Sequence, residues 1–328
     1  MRCISRLKYC VVIFFLSALL LNGCGQEITF EQAYDTFETT KNYVGTKTGS
    51  TKKTGFFAED LCVVDTENVL DEEISEELSE AAGVFNVNDL TVDYARNVQE
   101  KLYPASTTKI LTAYVALKYG NLEDVATVSE AALDLEPGSS VCELSVGDQI
   151  NLEQLLYGLM MCSGNDAANV IAELISGSPQ EFAVLMNHEA KLMGAVQSNF
   201  VNAHGLHDEN HYTTLYDLYL IFNQAVKNEK FAEVLKAHTY TANYVNSNNE
   251  PVVKEWKTTN QYLTGEKEVP ENVTVIGGKT GTTNAAGACL VLYSEDANKN
   301  PYISVVLKAD TREQLYVVMS ELLGKTSK

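Results

Sequence analysis

The chain has 328 residues, of which 45% are hydrophobic and 21% charged. That is enough for one large folded domain or two smaller ones, and the composition excludes wholesale disorder. The formal net charge of -20 excludes nucleic acid and anionic lipid headgroups as electrostatic partners, because both repel such a chain.

Residues 1–23 read as an export signal. Arg2, Arg6 and Lys8 give a positive start, and Val11 to Leu21 is an apolar run too short to span a bilayer. Leu21-Asn22-Gly23-Cys24 then resembles the bacterial lipobox, apart from the Asn, so Cys24 is the expected lipidation site. The simpler alternative is a plain signal peptide with an incidental cysteine. A lipid on Cys24 places the protein on the outer face of the bacterial cell membrane. Removing residues 1–23 takes away three positive charges and no negative ones, so the mature chain is more acidic still.

Residues 24–55, rich in Thr, Lys and Gly, read as a flexible spacer after the lipidated cysteine. The folded domain is expected over 56–328. Phe56 to Val64 reads as its first strand, and the acidic stretch Asp65 to Glu80 as a solvated insertion, partly helical at most. Val84 to Val87 and Thr91 to Arg96, around Asn88-Asp89-Leu90, read as a hairpin. A helical region follows from Ser106 to about His238. Within it Leu155, Leu156, Leu159 and Met160 share one helix face, and the pattern continues over Asp166–Ile175 and Gln180–Met193. Strands return at Val273–Gly278, Gly287–Tyr293 and Tyr302–Leu307, and Arg312–Leu323 closes the chain as a helix. Sheet at both ends with helices between predicts a single α+β domain.

Of seven cysteines, Cys62, Cys142, Cys162 and Cys289 lie in the expected domain. Outside the cell they could pair in any of three ways. The favoured reading is buried small hydrophobes, and none has metal-ligand spacing.

Ser106-Thr107-Thr108-Lys109 places an amine on the same helix face as a hydroxyl. A buried lysine near a second cation can be held neutral and take the serine proton. The spacing alone is weak, since Ser5–Lys8 and Ser50–Lys53 repeat it outside any scaffold. Ser163-Gly164-Asn165 follows the apolar helix. Its serine can relay a proton to a leaving amine, and its asparagine can hold a substrate amide. Lys279-Thr280-Gly281-Thr282 ends the strand from Val273. Lys279 can anchor a substrate carboxylate and depress the pKa of Lys109, and Thr280 and Thr282 can hydrogen-bond that carboxylate. The decoys Lys47-Thr48-Gly49, Lys53-Thr54-Gly55 and Ser247-Asn248-Asn249 fall in spacer or loop.

The ordered set Ser-x-x-Lys, Ser-x-Asn and Lys-Thr-Gly is similar to that of the penicillin-binding protein and serine β-lactamase superfamily. Pro104–Lys109, Ser163–Ala168 and Gly278–Gly281, with His204-Gly205-Leu206, His211–Thr214 and Asp217, resemble the low-molecular-weight D-alanyl-D-alanine carboxypeptidases over roughly residues 56 to 325. The resemblance implies a β-lactamase/transpeptidase-like fold: a mainly antiparallel sheet flanked by helices, with a helical subdomain and the site in the cleft. Ser106 would be acylated by a peptidoglycan stem peptide or by a β-lactam antibiotic, with the oxyanion held by the amides of Ser106 and Thr282. No metal or other cofactor is implied. A second β-domain and a C-terminal amphipathic anchor are expected to be absent, with the lipid replacing the anchor. The family's basic residue near the last strand has only Lys308 and Arg312 as candidates.

Three alternatives compete. A class A β-lactamase needs a Glu-x-x-Leu-Asn pattern, which is missing between Ser163 and Lys279. A non-catalytic sensor would have lost a motif residue. A zinc peptidase would draw on His204, His207 and His211, whose spacing is loose.

Overall fold

The computed structural model describes residues 58–65 and 67–327. The expected signal, Cys24 and the spacer lie outside them.

The chain enters its main sheet through a hairpin, β1 (Ser79–Asn86) and β2 (Thr91–Arg96), as the sequence predicts. The sheet is completed from the far end of the chain by β7 (Thr274–Thr283), β8 (Gly287–Glu295) and β9 (Pro301–Ala309), in the antiparallel order β2-β1-β9-β8-β7. Side chains alternate across it. Ile303, Val305 and Leu307 of β9 join the core shared with the helical region, whereas Tyr302 and Val306 pack under the C-terminal helix α8 (Arg312–Thr326). The sheet is therefore covered on both faces.

The helical region opens with α1 (Lys109–Tyr119). Then come β3 (Val125–Thr127), β4 (Gln149–Asn151), α2 (Leu152–Met161), α3 (Asn165–Ser176), α4 (Pro179–Leu192), α5 (Leu215–Ala225) and α6 (Glu229–Lys236). Ile110, Leu111, Ala113, Val115 and Ala116 are all buried, so α1 runs through the centre of the helices and needs no polar face. Asn151, Ser178, Thr214 and Thr311 cap their helices by accepting a backbone N–H from the first turn. Gly177, at φ 78°, ends α3.

Four expectations are corrected. Residues 58–64 form no strand. Cys62 donates its N–H to Tyr219 Oη at 2.9 Å and accepts from Tyr216 Oη at 2.8 Å, so side chains of α5 supply the partners a ladder would have given. The acidic stretch is not wholly solvated: Ile74 is buried, Ser75 bonds Glu321 through its N–H and hydroxyl (each 2.8 Å), Lys325 pairs with Asp71, and Ser79 and Glu80 already belong to β1. The region to His238 is interrupted by β3 and β4. These join a hairpin the sequence reading missed, β5 (Thr239–Val245) and β6 (Pro251–Lys257), in a second antiparallel sheet ordered β3-β4-β5-β6. A stack of Tyr157 on Tyr240 and of Tyr240 on Trp256 docks that hairpin against α2. Finally, Lys279 does not end its strand. β7 runs on to Thr283, which pairs with Gly287 across the turn. The short helix α7 (Gln261–Thr264) joins β6 to β7.

Phe85 of β1 is fully buried and stacks on Tyr219 with ring centroids 4.1 Å apart, joining sheet to helices. Phe85→Ala is expected to cost about 3–5 kcal/mol of stability, read from the chemical-denaturation midpoint.

Candidate active site

Ser106 lies in a 3-10 turn, Ala105–Thr108, that runs directly into α1. In that tighter helix residues three apart eclipse one another. Lys109 Nζ thereby comes to 3.0 Å from Ser106 Oγ. The turn is wedged between two glycines. A Cβ on Gly205, at φ 88°, would fall 1.9 Å from Ala105 O, and one on Gly281 would fall 2.9 Å from the backbone N of Ser106. Ala105 itself is held at φ 48°, a conformation costly for a residue with a Cβ.

Lys109 is fully buried. Besides Ser106 Oγ, its amine has two neighbours, Asn165 Oδ1 and the His204 carbonyl, each at 2.7 Å. Burial first, and then the charge of Lys279, hold it well below the ordinary lysine range. A neutral amine has two N–H groups and one lone pair. The two carbonyl acceptors take the N–H groups, which turns the lone pair toward the Ser106 hydroxyl.

Ser163, at φ 59°, forms the turn between α2 and α3, and Asn165 is the first residue of α3. Ser163 Oγ accepts from Lys279 Nζ at 3.0 Å, and the Thr280 carbonyl accepts from the same amine at 2.8 Å. Lys279 is fully buried, and burial brings its pKa down to about 7. Five of the residues singled out by sequence thus converge: Ser106, Lys109, Ser163, Asn165 and Lys279. Gly281 backs Ser106. Thr280 and Thr282 take the opposite face of β7 from Lys279, Thr280 Oγ1 lying 2.7 Å from Thr259 Oγ1 and Thr282 exposed. β7 is the outer strand of its sheet, so the site borders an edge along which an extended peptide can dock.

The sequence motifs contain Asp166, His204 and His211 but do not show what they support. Asp166 is buried and accepts from the N–H groups of Cys142, Leu144 and Ala167, fastening the 142–144 segment over the Ser163 turn. The 201–211 loop is tied to α1 and the turn before it at three points. Lys109 reaches the His204 carbonyl, Thr112 Oγ1 donates to Ala203 O at 2.6 Å, and Thr108 Oγ1 lies 2.8 Å from His211 Nε2. His211 Nδ1 accepts from Val201 N, so its Nε2–H donates to Thr108. Burial holds His204 at about 3 and His211 at about 4. Among the described residues no three His, Cys, Asp or Glu side chains converge as a metal-ligand set, and the His207 ring packs edge-on against Tyr103.

With that geometry in place, the comparisons decide the relationship. The family model for D-alanyl-D-alanine carboxypeptidase matches residues 71–311. The chain belongs to that family. It is 33% identical over 235 residues to the D-alanyl-D-alanine carboxypeptidase DacF of Bacillus subtilis, covering 70% of this chain and 57% of that protein. To Escherichia coli DacC it is 34% identical over 255 residues, covering 72% and 60%. The chain thus spans under two thirds of the length of these relatives. The crystal structure of the Streptomyces K15 DD-transpeptidase superposes with a TM-score of 0.67 at 29% identity, over 75% of this chain and 97% of that one. The α+β, transpeptidase-like fold expected from the motifs is the fold of this family.

Two outcomes follow from the supports. Gly205→Ala puts a Cβ at φ 88° against Ala105 O, so the variant is expected to lose more than about 1 kcal/mol of stability, read from its urea midpoint. The pH dependence follows from the buried histidines. Their folded pKa values lie below the unfolded 6.5, so the unfolded chain binds more protons at acid pH. The contribution of these two histidines is full above pH 6.5 and falls away as pH drops toward about 4 for His211 and about 3 for His204. His211→Gln is expected to flatten that fall, measured as the urea midpoint against pH.

Proposed function

We propose that this chain is a serine D-alanyl-D-alanine carboxypeptidase that removes the terminal D-alanine from peptidoglycan stem pentapeptides. The carrying observation is the pair of contact sets Ser106–Lys109–Asn165 and Ser163–Lys279, each built around a buried amine. Ser106 Oγ attacks the carbonyl between the two terminal D-alanines while its proton passes to the neutral Lys109 amine. Asn165 has committed its Oδ1 to Lys109, which leaves its Nδ2 to donate to the substrate acyl chain. Lys279 pairs with the terminal carboxylate, and that arriving anion favours its protonated form. As the C–N bond breaks, Ser163 relays a proton to the departing amine. Water then hydrolyses the acyl-enzyme. The backbone N–H groups of Ser106 and Thr282 are the assigned oxyanion donors, and β-lactams would acylate the same serine.

The same proposal places the protein outside the cell, held to the membrane by a lipid on Cys24 after removal of residues 1–23. Its support is the lipobox-like Leu21–Cys24 and the positive start before the apolar run.

Intact-mass measurement after benzylpenicillin, with release of D-alanine from an acyl-D-Ala-D-Ala peptide, tests the reaction. The wild type is expected to gain one penicilloyl group and release D-alanine, and Ser106→Ala to do neither. Ser163→Ala is expected to lower the release rate about 10²–10⁴-fold. A stable penicilloyl adduct without D-alanine release would mark a sensor instead, and rapid penicillin hydrolysis a β-lactamase. For the anchor, Cys24→Ser is expected to move the protein from membrane to soluble fraction.

A further inference from the structure

Cys142 and Cys162 are twenty residues apart in sequence, yet their Sγ atoms lie 3.1 Å from each other. The surroundings are shaped to that contact. A Cβ on Gly158 would fall 2.5 Å from Cys142 Sγ, and one on Gly164 would fall 2.2 Å from it. Two glycines, one inside α2 and one capping α3, thus leave the notch that the Cys142 sulfur fills. Cys162 Sγ donates to the Gly158 carbonyl at 3.1 Å. Cys142 is held from the other side by its N–H on the buried Asp166 carboxylate, and Ser140 O accepts from Asn165 N at 2.8 Å. Both sulfurs are therefore oriented by groups next to Ser163. The other two thiols have different neighbours: Cys62 Sγ faces Asn86 O, and Cys289 Sγ faces Ala286 O and Tyr103 O.

We propose that Cys142 and Cys162 are a modification site, oxidised together to a disulfide that clamps the 139–145 segment onto the turn carrying Ser163. A disulfide needs its sulfurs at about 2.05 Å, so closure asks for about 1 Å of approach between groups already in contact. The two thiols differ in access: Cys162 is partly exposed and Cys142 almost wholly buried. This sets the order of events with a small-molecule disulfide as oxidant. The Cys162 thiolate attacks one oxidant sulfur and releases the first thiolate. The Cys142 thiolate then attacks Cys162 Sγ in the mixed disulfide and releases the second. The two protein thiols give up two protons and two electrons, and the oxidant leaves as two thiols. Burial, aided by the neighbouring Cys162 and Asp166, pushes the Cys142 thiol well up, so the second step is the slow one and quickens with rising pH. The location proposed above is one in which disulfides persist.

The sequence offers a clean assay. Trypsin leaves both cysteines in one peptide, 119–191, that holds no other cysteine. The full-length protein is incubated with oxidised glutathione, alkylated, digested and weighed. The expected peptide is about 2 Da lighter than its reduced form, resists alkylation, and separates on Glu-specific cleavage only after reduction. The melting temperature is expected to rise by about 5 °C or more and to fall back on reduction, since the cross-link closes a loop of about 20 residues in the unfolded chain. A Cys142→Ser/Cys162→Ser double variant is expected to show no such rise. Persistent alkylation of both thiols, arrest at a glutathione adduct on Cys162, or a cross-link without a change in melting temperature would each overturn the proposal. Neither the mass nor the melting readout depends on the activity proposed for Ser106.

Discussion

Two lysine amines buried within one cleft impose the main constraint on this molecule. An isolated buried charge is strongly unfavourable, and two of like sign are worse. The fold answers by surrounding Lys109 with two carbonyl acceptors and a hydroxyl, and Lys279 with a hydroxyl and a carbonyl. Each partner comes from a different stretch of chain: the Ser106 turn, the Ser163 turn, the start of α3, the 201–211 loop and β7. Holding five segments in register around two amines is the structural task, and most of the polar contacts near the cleft serve it. Asp166 and His211 matter for this reason, although neither bonds Ser106 Oγ among the contacts seen here.

The cleft also carries local strain. Ala105 and Ser163 both adopt positive φ without being glycine. Each immediately precedes or forms the working turn, and each is held by its surroundings, Ala105 by the close approach of Gly205 and Ser163 by the bonds of the next two residues, Gly164 N–H to Gly158 O and Asn165 N–H to Ser140 O. Such geometry survives only in a rigid frame. That frame is the sheet packed on α5 and α1 through Phe85, Tyr219 and Leu215.

How much was legible in the sequence follows from the range of each signal. Ser106–Lys109 depends on three-residue spacing, and the helix face of Leu155, Leu156, Leu159 and Met160 on periodicity, so both could be read directly. The hairpin at Asn88–Leu90 carried its own turn residues. Choosing Ser163-Gly164-Asn165 and Lys279-Thr280-Gly281 over their decoys needed only their order and flanking apolar runs. What could not be read depends on long-range partners. Leu61 to Val64 look like a strand because they are apolar, yet the backbone of Cys62 is met by tyrosines more than 150 residues away. Lys279 looked terminal because hydrophobicity stops at Ile276, but β7 continues because β8 pairs with it through Thr283. The β5–β6 hairpin was hidden by polar residues on its open face, and its buried residues show only against α2. Nothing local announces that Cys142 meets Cys162.

The sheet topology has a consequence for how the protein comes into being. β1 forms early in the chain, yet its inner neighbour is β9, more than two hundred residues downstream, and α8 covers them only after that. Until Pro301–Ala309 has emerged, the first hairpin is a two-stranded ribbon with one apolar face bare, and such a ribbon is at best marginal in water. The cleft cannot assemble either, since Lys279 arrives on β7. A chain wired in this way postpones its cooperative folding until synthesis is nearly finished. That delay leaves the pairing of Ser106 with Lys109 without its second amine and its backing strand until β7, β8 and β9 have been delivered.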